Sequence, residues 1–285
     1  MEVVKFIQSF SNPFLDRFFQ LFTMIGEDYF FILVMALVYW CLDKNFGYRL
    51  GFAYLSSGGL NCIIKEIFAV PRLIGKEGIR SLRVETAGGY SFPSGHTQTT
   101  ATLWTSLLLK IKKRWFTILA FFIIFLVGFS RLYLGVHRPV DVVFGFLIGF
   151  AWVFFVNYLF ELAVESGRKS WLLLLILPAI VGLIFVRTFT YYKVVGTLLS
   201  IFTGFLVEPV YIRYKSDGAL WQQGIKLIVG LAVLLFLQSF LKNLLPEAPG
   251  ADLLRYYLMG IWVTIIAPFL FKYFFNRGNR KQIKS

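Results

Sequence analysis

The feature that most constrains this chain is a succession of apolar runs, each near the length needed to cross a bilayer. They lie at about 28–43, 48–65, 93–109, 115–134, 139–160, 171–187, 194–212, 222–244 and 254–275. A hydrocarbon core of about 30 Å takes roughly 20 apolar residues in a helix. With no water in that core, backbone N–H and C=O groups must pair internally, which leaves helices or a closed barrel. The runs are continuous rather than alternating, so they predict an all-α, polytopic membrane protein with nine transmembrane helices. Composition agrees: of 285 residues, 58% are hydrophobic and 15% charged, where a soluble domain is about 45–50% apolar and about 25% charged.

The net charge of +14 would suggest nucleic acid in a soluble protein. Here the excess of Lys and Arg in short cytoplasmic loops accounts for it, and no nucleic-acid partner is expected. Cys41 and Cys62 sit inside apolar runs and read as small buried hydrophobes, not as a disulfide or metal framework. Residues 3–24 interleave apolar positions with Lys5, Gln8, Asn12, Asp16, Arg17 and Gln20. That pattern predicts amphipathic helices lying at the interface, broken at Asn12-Pro13. The N-terminus lacks the basic, apolar and small-residue order of a secretory signal. The chain thus divides into an interfacial segment (1–27), a membrane core (28–160) and further membrane helices with a basic tail (161–285). Among the later polar residues, Glu208 is expected to pair with Arg213 at the cytoplasmic edge.

Loop charge sets the orientation. The stretch KIKKRW (110–115) and the tail NRGNRKQIKS (276–285) each carry four basic residues and no acid, so both are expected on the cytoplasmic side. Six crossings between them would be consistent with this. Loop 66–92 and the turn near 131–138 then face the other side. Loop 66–92 is itself basic, with Arg72, Lys76, Arg80 and Arg83 against Glu66, Glu77 and Glu85, as a loop that binds an anion can be.

Ionisable groups beside a membrane span are costly and default to function. Three clusters share that outer side: KEIFAVPR with Lys65 and Arg72, PSGH at 93–96, and SRLYLGVHRPVD with Ser130, Arg131, His137 and Asp141. Each alone has a plainer reading, respectively a snorkelling cation, a capped helix start and a local side-chain bond. Together they suit a phosphoryl group. Lys65, Arg72 and Arg131 supply cations, two of them planar forks. If Pro93 opens a helix, the N–H groups of Ser94, Gly95 and His96 point at an anion, and Gly95 lets backbone approach it. His137 and Asp141, four apart, can share a helix face so that the carboxylate fixes the imidazole tautomer. His96, on another span, can protonate a leaving oxygen.

The pattern of Lys65 and Arg72, then Pro93–His96, then Ser130, Arg131, His137 and Asp141 resembles the type 2 phosphatidic acid phosphatase superfamily. One departure is that Leu73 stands where the family's first motif usually has proline. The resemblance implies a membrane helical bundle and a metal-independent phosphatase or diphosphatase that works through a phosphohistidine and needs no cofactor. It implies His137 as nucleophile, Asp141 as its orienting partner and His96 as acid and base. Lys65, Arg72, Ser94, Gly95 and Arg131 would hold phosphate, and Ser130 is a possible accessory.

The nine-span total resembles the sphingosine-phosphate and glucose-6-phosphate phosphatase branches and bacterial relatives. The expected partner is a lipid phosphate or diphosphate in the bilayer: a polyprenyl diphosphate, phosphatidate, phosphatidylglycerol phosphate or sphingoid-base phosphate. The alternatives are a soluble phosphate ester, a vanadium-dependent haloperoxidase and a non-catalytic lipid-phosphate binder or transporter. The expected setting is a bacterial cytoplasmic membrane, with the site outside and the C-terminus inside.

Overall fold

A computed structural model describes residues 1–275. The basic tail 276–285, used above for orientation, lies outside the described residues. The described chain is all helical: α1 (Glu2–Gln8), α2 (Pro13–Thr23), α3 (Asp28–Ala36), α4 (Lys44–Phe68), α5 (Gly95–Ile111), α6 (Arg114–Tyr133), α7 (Pro139–Glu165), α8 (Leu173–Gly182), α9 (Phe189–Val207), α10 (Leu220–Leu244), α11 (Pro249–Ile261) and α12 (Ala267–Phe275).

Among the described residues five helices are long and apolar enough to cross a membrane: α6, α7, α9 with its extension to Ile212, α10, and Pro249–Phe275. A bent pair, Pro13–Gly26 with Asp28–Leu42, makes a sixth if it is one span. The expected count of nine is therefore not reproduced, for identifiable reasons. Helix α4 carries Lys44, Arg49, Lys65 and Glu66 along its 25 residues. Helix α5 has 17 residues, with threonines, serine and glutamine through its first three turns. The apolar stretch Lys169–Gly182 is short. The agreement between the two basic segments required six crossings and now depends on that short stretch.

The chain forms two compact units. The first joins Met1–Phe31 to Ser57–Tyr158 and carries every residue singled out above for phosphate chemistry; the second joins Ile32–Ser56 to Leu159 onward. In the first unit, local chemistry sets each helix end. Asn12 caps α2 by accepting from the Leu15 N–H at 3.0 Å, and Pro13 opens the helix. Lys112, at φ 53°, closes α5. Pro139 and Asp141 occupy the first turn of α7. Glycines bring α7 against α5: a Cβ on Gly145 would stand 2.7 Å from Ser94 O, and one on Gly149 2.2 Å from Gln98 O. Small residues let membrane helices approach in this way.

The N-terminal helices do not simply float at an interface. Phe19 is buried with Leu126, Tyr133, Leu134 and Val136. Gln8 donates to Arg80 O (2.6 Å) and Tyr133 O (2.8 Å). Asp16 takes both arms of Arg80 at 2.7 Å and the Tyr133 hydroxyl at 2.7 Å. Gln8 and Asp16, two of the polar residues on these amphipathic helices, therefore fasten the loop before α5.

The second unit is stitched around three π-type turns, Leu37–Leu42, Glu208–Ile212 and Trp262–Ile266. Such turns disturb the regular ladder of backbone bonds, and side chains meet the exposed carbonyls. Tyr39 donates to Thr264 O (3.0 Å) and Trp40 to Val263 O (2.9 Å). Buried Glu208 pairs with Lys44 at 3.0 Å and accepts from the Tyr214 N–H at 2.6 Å. The expected Glu208–Arg213 ion pair is thus replaced by one with Lys44. Arg213 touches Glu208 through its backbone N–H, which closes the π turn onto Glu208 O at 2.7 Å.

Candidate active site

The expected residues converge within the first unit. Lys65 lies in the last turn of α4, Arg131 in the last turn of α6, His96 in the first turn of α5 and Asp141 in the first turn of α7. His137 sits in the turn joining α6 to α7. One end of four helices meets the loop 69–94.

At the centre, His137 Nδ1 lies 3.3 Å from Asp141 Oδ2, with both side chains essentially fully buried. The same oxygen accepts from Ser91 Oγ (2.5 Å) and the Arg138 N–H (2.8 Å). His137 Nε2 faces the other way, 3.0 Å from Arg72 Nη1. A guanidinium only donates, so Nε2 accepts and the proton of the neutral ring resides on Nδ1, directed at Asp141. Burial pushes His137 well below the ordinary histidine range; the bond to Asp141 opposes this, and the charges of Arg72, Arg131 and Lys65 add to it. The ring is neutral, with its Nε2 lone pair turned toward Arg72.

Arg72 is more occupied than its sequence position suggested. Its Nε donates to Gly89 O (2.9 Å), Nη2 to Gly88 O (2.8 Å), and Nη1 to Val136 O (3.1 Å) as well as to His137. Burial pulls it down to about 10, with Asp141 opposing, so it remains charged. These carbonyls aim the guanidinium, while Leu73, in the place of the usual proline, is fully buried. Lys65 donates to Tyr90 O at 2.6 Å. Arg131 is fully buried; its Nη1 donates to Thr23 Oγ1 at 2.8 Å, whereas Nε and Nη2 have no partner among the described residues.

The PSGH turn differs in detail from expectation. Helix α5 begins at Gly95 with Ser94 as its cap, so Pro93 precedes the helix instead of opening it. The peptide before Pro93 is cis. Ser94 N–H donates to Asp141 O at 2.9 Å and is not available to an anion; its hydroxyl accepts from Thr97 Oγ1 at 2.9 Å. The first helical N–H groups, on Gly95 and His96, keep the orientation that attracts an anion. A Cβ on Gly95 would meet Asn61 Oδ1 at 3.3 Å, so the glycine also makes room for that amide. Asn61 in turn donates to Pro93 O and Gln98 Oε1. Ser130 is buried, and its hydroxyl donates to Val127 O at 2.6 Å within its own helix.

Several participants were not singled out from the sequence. Ser91 holds Asp141, Thr23 holds Arg131, and Asn61 with Gln98 braces the turn before α5. Gly135 has φ 70°, and a Cβ there would fall 2.2 Å from Arg80 O. Ser91 stands within SFPSGH and was open to suspicion by proximity. Thr23 carries no sequence signal, because its partner is 108 residues away.

Residues 46–165 match the PAP2 superfamily, and residues 192–279 match the description "PAP2 superfamily phosphatase, transmembrane extension". The chain is 32% identical over 178 residues to a probable sphingosine-1-phosphate phosphatase of Dictyostelium discoideum, covering 58% of this chain and 43% of that protein. It is 30% identical over 162 residues to an undecaprenyl-diphosphatase of Sulfolobus acidocaldarius, covering 56% and 78% respectively. The crystal structure of Aquifex aeolicus LpxE is similar, with a TM-score of 0.50 and 28% identity, over 55% of this chain and 93% of that one. The chain thus matches less than half the length of the Dictyostelium relative, but most of the Sulfolobus and Aquifex ones. With its motif residues gathered at one end of a helical membrane bundle, the chain belongs to the PAP2 superfamily and is an integral membrane protein.

Proposed function

We propose that this protein is a membrane phosphatase that hydrolyses a lipid phosphate or diphosphate through a phosphohistidine. The observation that carries the proposal is His137, clamped at Nδ1 by buried Asp141 with Nε2 3.0 Å from Arg72, near a buried Arg131 that keeps two donors without a partner among the described residues. When phosphate binds, Arg72 transfers its Nη1 bond from Nε2 to a phosphoryl oxygen, which frees the nucleophile. Nε2 attacks phosphorus; an N–P bond forms as the P–O bond to the leaving group breaks, and His96 protonates the leaving oxygen. Water then attacks phosphorus, the N–P bond breaks, and His96 takes the water's proton. Lys65, Arg72, Arg131 and the first N–H groups of α5 stabilise the charge throughout, the largest contribution in such transfers.

An apolar groove of about 350 Å³ between α6 and α7 favours a lipid over a soluble ester. Thr97, Phe125, Gly128, Leu132, Pro139 and Val143 are among the residues lining it. Three of these adjoin site residues: Thr97 follows His96, Leu132 follows Arg131, and Pro139 lies two before Asp141. From Leu132 to Phe121 it runs roughly 16 Å down α6 at 1.5 Å per residue, a berth for an acyl or prenyl tail. The names of the relatives suggest sphingoid-base phosphates and polyprenyl diphosphates as first substrates to try. The basic segment 110–115 at the far ends of α5 and α6 supports reading the site as extracytoplasmic, in a bacterial-type cytoplasmic membrane. Catalysis is assigned to the first unit, with the later helices as an extension.

The test is phosphate release by purified protein in detergent from a panel of prenyl, acyl and sphingoid phosphates and a soluble sugar phosphate. His137→Ala should abolish release while the protein still inserts and folds. Unchanged turnover in that variant would refute the mechanism. Orthovanadate should inhibit the phosphatase; activation instead would favour a peroxidase.

A further inference from the structure

Arg131, in the last turn of α6, is fully buried, and its three side-chain nitrogens have unlike surroundings. Nη1 donates to Thr23 Oγ1 at 2.8 Å, whereas Nε and Nη2 make no hydrogen bond among the described residues. The division follows the shape of the group. In a guanidinium, Nε–H and one N–H of Nη2 lie along one edge and point the same way, while Nη1 sits at the far corner on the Cδ side. That edge can meet two oxygens of a single phosphoryl group with parallel bonds.

Thr23 is the last residue of α2 and lies outside residues 46–165, the part that matches the PAP2 superfamily. Its place is imposed by α2 packing along the end of α6. Phe19, one turn before Thr23, meets Phe129 and Tyr133 with ring centroids 5.5 and 4.5 Å apart. Asp16, two turns before, accepts from the Tyr133 hydroxyl at 2.7 Å. Positions 16, 19 and 23 recur at helical spacing and share the face of α2 turned to α6.

Thr23 is fully buried, and a β-branched side chain in a helix has few χ1 choices. Helix packing therefore fixes where its oxygen stands. The guanidinium turns as one rigid plane about its Cδ–Nε bond. A single hydrogen bond at Nη1 thus sets the direction in which the Nε–Nη2 edge faces.

We propose that Thr23 is a positioning residue for phosphate binding: by accepting from Arg131 Nη1 it presents the Nε–Nη2 edge as a two-pronged seat for one phosphoryl group. This rests on the phosphatase reading above. It makes α2 a part of the site as well as a fastening for the loop before α5. Thr23 itself touches no reacting atom and acts only through Arg131.

Thr23→Val keeps the shape and removes the acceptor. It should lower kcat/KM about tenfold, the worth of one hydrogen bond to a charged group, and weaken inhibition by inorganic phosphate with it. Thr23→Ser, which returns the oxygen, should restore both. The thermal midpoint in detergent checks folding, and Thr23→Ala replaces the valine variant if that does not fold. A double-mutant cycle separates aiming from mere packing. Lysine has no planar edge to aim, so in an Arg131→Lys background Thr23→Val should change kcat/KM by less than about twofold. Losses that add, a serine variant no better than valine, or a Thr23→Val protein with wild-type kcat/KM each overturns the inference. A second measurement does not depend on turnover. Calorimetric titration of inorganic phosphate into the purified protein should give about tenfold weaker affinity for Thr23→Val and wild-type affinity for Thr23→Ser. Should no substrate of the panel be hydrolysed, the phosphatase reading falls, while phosphate affinity still decides whether Thr23 aims Arg131. Equal affinities, or no phosphate binding by the wild type, overturn the inference.

Discussion

Replacing Arg131 with lysine tests the phosphate seat most directly. In the free protein Arg131 is fully buried, with one arm on Thr23 and two donors, on Nε and Nη2, without partners. In the proposed reaction a phosphoryl group accepts from both. Lysine preserves the charge but offers a point instead of a planar fork, so it keeps at most one of the two bonds. A hydrogen bond to a charged group contributes about 1.5–3 kcal/mol, and about 1.4 kcal/mol corresponds to tenfold. Arg131→Lys should therefore lower kcat/KM by roughly 10- to 150-fold. Part of the loss belongs to ground-state binding, so inhibition by inorganic phosphate should weaken too, though less than kcat/KM falls. The assay is phosphate release over a substrate series in detergent, with yield and gel-filtration behaviour as the check on folding. If kcat/KM stays within threefold of wild type and phosphate inhibits equally well, Arg131 does not hold the transferring group, and its unpartnered donors need another explanation.

Three further outcomes follow from His137 and the groove. His137 sits below the ordinary histidine value, near 6.5, so it remains a neutral nucleophile as pH drops through 6.5, and the acid limb of kcat/KM should lie lower. For stability the sign is opposite: the unfolded chain takes up a proton below about 6.5 that folded His137 refuses. Thermal midpoints in detergent should thus be flat above that pH and decline beneath it, and an acid limb centred at the ordinary value contradicts the burial argument. Val143→Trp, on the groove wall, should discriminate by tail length. Excluding two methylenes at about 0.8 kcal/mol each should reduce kcat/KM for a long-chain phosphate about tenfold relative to a short-chain one; an unchanged ratio would move the tail elsewhere.

Much of the site could be read directly because its chemistry is written at fixed local spacings. Asp141 lies one helical turn beyond His137, and Ser94 precedes Gly95 and His96 as a cap, relations that need no knowledge of distant contacts. What local reading could not reach were partners supplied by other elements. The Ser94 N–H goes to Asp141 O, Arg72 is aimed by carbonyls of Gly88, Gly89 and Val136, and Thr23 grips Arg131. Residues 3–24 are amphipathic as read, but two of their polar side chains, Gln8 and Asp16, have partners in or near the loop before α5 that no local pattern announces. The span count failed where hydropathy is a poor guide: α4 carries Lys44, Arg49, Lys65 and Glu66, and α5 carries threonines and a glutamine in its first turns.

The membrane setting and the helical class follow from the sequence, because long apolar runs leave the backbone few options, and so do the candidate residues, because phosphate chemistry needs particular side chains. Tertiary structure decided which atoms of those side chains are available. Only packing from four helix ends turns His137 Nε2 outward, leaves Arg131 two donors and commits Ser94 to structure. A hydrogen bond is settled by the position of both partners, and a linear sequence states only one of them.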